Sequence, residues 1–64
     1  MKYRVYDSTT NETIRIVDIC KDNVKQIDIL RSVQAVQVDF WEVEIDGKTY
    51  NFSDVAAERV PEEK

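Results

Sequence analysis

Nine Val and six Ile stand against a single Leu in this chain. β-Branched side chains lose rotamer freedom in a helix but pack well on a pleated surface, so the inventory leans towards sheet before any pattern is read. At 64 residues the chain is one domain, and a domain of this size buries only about 60% of the surface its unfolded chain exposes. A deep substrate cavity would compete with so small a core. With 42% hydrophobic and 34% charged residues the composition is neither that of a disordered segment nor that of a membrane span, and no stretch approaches the ~20 consecutive apolar residues a spanning helix needs. A cytoplasmic protein is expected.

Residues 2–7 alternate, with Tyr3 and Val5 on one side and Lys2, Arg4 and Tyr6 on the other, the period-2 pattern of a half-buried strand. Ser8-Thr9-Thr10-Asn11 supplies four turn-forming residues, and 13–19 is β-branched again, which predicts a hairpin. A four-residue loop sets Val5 opposite Ile14 and Tyr3 opposite Ile16. The same register sets Arg4 opposite Arg15, a mildly unfavourable like-charge pair.

Asn23 followed by Gln26 resembles a capping box, and Val24, Ile27, Leu30 and Val33 recur at helical spacing, predicting a helix over 23–33. A strand over 26–30 competes, because Ile27 and Ile29 also alternate. Residues 35–45 carry the longest β signal, but its phase changes: Val36, Val38 and Phe40 share one parity, Trp41, Val43 and Ile45 the other. A bulge near Phe40-Trp41 is expected. Asp46-Gly47 then predicts a type I′ hairpin, pairing Ile45 with Lys48, Val43 with Tyr50 and Trp41 with Phe52. Ser53 or Asp54 is placed to cap a last helix through Val55–Arg59, ended by Pro61. The expected fold is therefore α+β, a single-layer antiparallel sheet of two hairpins covered by one or two short helices in the order ββαββα. A small all-β barrel is the alternative. The domain is expected over 1–60, with 61–64 a polar tail.

The sequence contains no histidine and one cysteine. General acid–base chemistry at neutral pH therefore lacks its usual side chain, and neither a disulfide within the chain nor a structural zinc site can be built. Cys20, flanked by Val17 and Ile19, reads as a small buried hydrophobe. Asp39, Glu42 and Glu44 could offer oxygen ligands, but alternating Glu is what a solvated strand face requires. Asp18, Asp22 and Asp28 lack calcium-loop spacing. The only glycine, Gly47, is needed by the hairpin turn, which leaves no phosphate-cradling loop. No metal, no cofactor and no catalytic constellation are expected.

A binding surface remains. Lys2, Arg4, Tyr6 and Arg15 are expected on the outer face of the first hairpin, Glu42 and Glu44 on that of the second, so the small sheet is polarised in charge. Open hairpin edges and a marginal core favour association with a protein partner or with a second copy as a homodimer. The expected function is a small non-enzymatic protein-binding module, an inhibitor or regulator of the kind small mobile-element or phage genes encode, acting through Arg4, Tyr6, Arg15, Glu42 and Glu44. The alternative is single-stranded nucleic-acid binding by the basic and aromatic outer face of the first hairpin, which a net charge of −4 disfavours. Trp41, paired with Phe52, is expected in the core.

Overall fold

A computed structural model of the chain describes residues 1–61. Six strands and one α-helix follow in order: β1 (Lys2–Asp7), β2 (Glu12–Asp18), α1 (Gln26–Ser32), β3 (Val36–Gln37), β4 (Glu42–Ile45), β5 (Lys48–Asn51) and β6 (Val55–Val60), with a 3-10 turn at Phe52–Asp54. The strands form two antiparallel three-stranded sheets, ordered β2-β1-β6 and β3-β4-β5. The fold is thus a small α+β fold with both expected hairpins, but the hairpins belong to separate sheets and neither sheet closes into a barrel.

The first hairpin keeps its four-residue loop. Asp7 pairs with Glu12 and Tyr6 with Thr13, and then a bulge shifts the register so that Val5 faces Arg15, Arg4 faces Ile16 and Tyr3 faces Val17. The extra residue is Ile14, which packs against the core. The expected Val5–Ile14 and Tyr3–Ile16 pairs do not form. One residue of slip turns Arg15 onto the inward face of the strand and leaves Ile16 exposed. It also removes the Arg4–Arg15 repulsion.

The second hairpin forms in the expected register, Ile45 with Lys48, Glu44 with Thr49, Val43 with Tyr50 and Glu42 with Asn51. Asp46 and Gly47 both have positive φ, 52° and 82°, as a type I′ turn demands. Upstream, the change of phase is a reversal and not a bulge. β3 pairs antiparallel with β4, Val36 with Glu44 and Gln37 with Val43, and the chain turns over Val38–Trp41, closed by Val38 N–H donating to the Glu42 carbonyl at 3.0 Å.

The middle helix is shorter than the expected 23–33. It starts after Lys25, whose N–H donates to the Asp28 carboxylate at 3.1 Å, so the reciprocal bond of a capping box is supplied two residues further on than Asn23 suggested. Its end is a Schellman motif: Gln34 takes φ 56°, its N–H bonds the Arg31 carbonyl, and Ala35 N–H bonds the Leu30 carbonyl.

The expected last helix is instead β6. Asn51 accepts a bond from Ser53 N–H to set the 3-10 turn, after which Val55–Val60 runs antiparallel to β1, Glu58 lying opposite Arg4. All six residues of β6 find a partner along the free edge of β1, which outweighs the modest helical preference of Ala-Ala-Glu-Arg. The core is made by all parts: Val5 from β1, Ile29 and Val33 from the helical segment, Val43 and Ile45 from β4, and Val55 from β6. Cys20 lies outside it, exposed beyond the end of β2.

Candidate functional site

The five expected binding residues are not brought together. Arg4 is held on the outer face of the first sheet: its guanidinium bonds Glu58 at 2.9 Å, the Thr13 hydroxyl at 2.7 Å and the Asn11 carbonyl at 2.6 Å, and it lies 4.6 Å from the Tyr6 ring centroid. Its side chain keeps only 20% exposure. This arrangement ties three strands together. Arg15 departs from the expected outer face, reaching from β2 to the Asp46 carboxylate in the turn of the other sheet. Lys48 approaches Glu12 at 3.8 Å beside it, so the two hairpin tips are linked by two ion pairs. Glu42 and Glu44 are exposed on β4, Glu44 beside Thr49 and Glu42 beside Asn51, as the pleat requires.

A different surface carries an apolar groove. Between α1 and the reversal that links β3 to β4 lies a groove of about 300 Å³. Leu30, Ala35, Val43 and Phe52 form its apolar lining, Ile27 and Phe40 its exposed shoulders. The Schellman motif positions Leu30 and Ala35 side by side at the helix end. The reversal holds Phe40 and Trp41 outward, helped by the Asp39 carboxylate, which accepts from Phe40 N–H at 2.7 Å. Trp41 stacks on Phe52, ring centroids 5.3 Å apart and planes 8° from parallel, and Phe40 meets Trp41 edge-on at 4.6 Å. The Trp41–Phe52 pairing is as expected, but its place is not: Trp41 is 56% exposed and Phe40 71%.

Two charges of opposite sign line this groove from opposite walls, Arg31 on the helix and Glu42 at the start of β4. Among the described residues neither has an ion-pair partner within 4.0 Å. Asp28, one helical turn before Arg31, is engaged by Lys21 at 3.2 Å and by Lys25 N–H. These bonds, with Arg31 contributing at longer range, hold the Asp28 carboxyl below its ordinary pKa.

The sequence did carry a sign of this surface. Adjacent Phe40 and Trp41 cannot both face inward on a strand, and one of the ways to place them is a turn that exposes both. The helix-end residues Leu30 and Ala35 carried no such mark, because their role depends on what the reversal brings near them. Comparison with protein-family models, with curated proteins and with solved structures finds no match for this chain.

Proposed function

We propose that this chain is a non-enzymatic protein-binding module that acts by covering a partner's surface with the face around the groove. The observation that carries the reading is the exposed pair Phe40 and Trp41, seated on half-buried Phe52 beside an apolar groove. A chain with so few large apolar residues leaves its two most exposed aromatics, with Ile27, on one face, whereas monomeric surfaces scatter such residues singly. Aromatic anchors around a concave centre are what concentrate binding energy at protein interfaces. The basic set on the first hairpin supports binding less well, since Arg4 is engaged by its own strands and Arg15 by Asp46.

The test compares wild type with Phe40→Ser and Ile27→Ser, both exposed enough to leave the core intact, as immobilised baits for proteins of the source cell. One protein retained in stoichiometric amount by the wild type and depleted about tenfold or more by either variant is expected. Equal retention by all three overturns the reading. Retention of single-stranded oligonucleotides, lost in Tyr6→Ala and at raised salt, moves the function to the outer face of β1.

A further inference from the structure

We infer that the partner this groove face fits is a second copy of the chain, docked about a two-fold axis running along the groove; the inference rests on the protein-binding reading above. The argument is one of symmetry. In an isologous interface each contact between residue i and residue j occurs twice, with the roles exchanged. Arg31 and Glu42 stand on opposite walls of one groove, carry opposite charge and have no ion-pair partner among the described residues. A two-fold axis between them brings Arg31 of each copy against Glu42 of the other, so both charges are satisfied by one operation. A foreign partner would have to present both signs in the mirrored positions independently.

Arg31 and Glu42 are the charged side chains of the groove's lining. Arg4, Arg15, Lys21 and Lys48 are each paired with a carboxylate of their own chain. The apolar content fits a modest interface. Phe40 and Trp41, at 71% and 56% exposure, with Ile27 and the groove lining, form a patch smaller than the ~800 Å² per partner of a standard interface. The dimer is a weak one, with the aromatic stack of each copy against the α1 wall of the other, beside the Arg31–Glu42 pairs.

Sedimentation equilibrium on the full chain between about 1 µM and 1 mM brackets a dissociation constant in that range. Wild type is expected to pass from monomer to dimer. Arg31→Glu and Glu42→Arg each appose like charges twice and should weaken self-association by about tenfold or more. The decisive sample is the equimolar mixture of the two variants, in which every apposed pair is again opposite in sign. It should form a heterodimer at close to wild-type strength although each component alone self-associates about tenfold or more weakly. If Arg31→Glu unfolds the helix end, Arg31→Gln and Glu42→Gln should each weaken the dimer and flatten its salt dependence. A wild type monomeric throughout, or a dimer indifferent to these substitutions, overturns the inference. A monomeric wild type whose capture of another protein still depends on Phe40 overturns self-pairing alone and leaves the protein-binding reading standing.

Discussion

Among the described residues, three without the freedom of glycine hold left-handed backbone: Asn11, Gln34 and Asp46. Asn and Asp tolerate that region through their short polar side chains, whereas Gln does not share the preference. Gln34 is therefore a strained cap, and among the described residues its side chain has no hydrogen-bond partner to offset the strain. Gln34→Gly should stabilise the fold by about 0.5–1 kcal/mol, raising the melting temperature by roughly 2–8 °C in a domain of this size. A calorimetric scan at neutral pH checks it, and an unchanged or lower midpoint would show that the site is unstrained. Asp28 gives a second test at the same scale. Bonds from Lys25 N–H and Lys21 favour its ionised form in the folded chain, so its folded pKa lies below the unfolded one. The stability it contributes is complete above the unfolded value and is lost as pH falls through the folded one. Asp28→Asn should melt below wild type at neutral pH, with the two melting curves converging under strong acid. Parallel curves at every pH would assign the loss to something other than this titration.

Elements that depend on neighbours in sequence were legible. The Asp46-Gly47 hairpin and the four-residue first loop follow from turn chemistry and alternation within a dozen residues. Elements that depend on distant partners were not. Val55–Val60 carries a local Ala-Ala-Glu-Arg preference for helix, and only β1, some fifty residues earlier in the chain, makes it a strand. The bulge at Ile14 is of the same kind: it turns Arg15 towards Asp46, a residue of the other sheet. Arg4 marks the junction of these long-range choices, since it joins β2, through Thr13, to β6, through Glu58. The pair with Glu58 is part-exposed, so its coupling in a double-mutant cycle of Arg4→Ala and Glu58→Ala should be about 0.5–1 kcal/mol in urea unfolding. Arg4→Ala alone should cost more, about 1–2 kcal/mol, because the Thr13 and Asn11 bonds and the stacking on Tyr6 go with it. Equal losses from Arg4→Ala and Glu58→Ala would mean that the ion pair is all that Arg4 contributes.

At the scale of the molecule, two sheets of three strands are each too small to stand alone, since isolated small sheets are marginal without a shared apolar face. What joins them is one cluster, Val5 and Val55 from the first sheet, Val43 and Ile45 from the second, Ile29 and Val33 between. The ion pairs at the hairpin tips are exposed and salt-screened, so they trim the arrangement and do not create it. If the shared cluster dominates, the two sheets unfold together. Trp41 reports the second sheet alone through its stack on Phe52, while far-ultraviolet dichroism reports all strands. Val5→Ala removes two buried carbons from the first sheet and should cost about 2 kcal/mol. The midpoint seen by Trp41 fluorescence should fall by the same denaturant increment as the midpoint seen by dichroism, even though Val5 lies in the first sheet and Trp41 in the reversal between the strands of the second. A Trp41 transition that stays at its wild-type position while dichroism shifts would mean two units folding separately. The groove would then rest on the second sheet and α1 alone, and a change in the first sheet could not reach it.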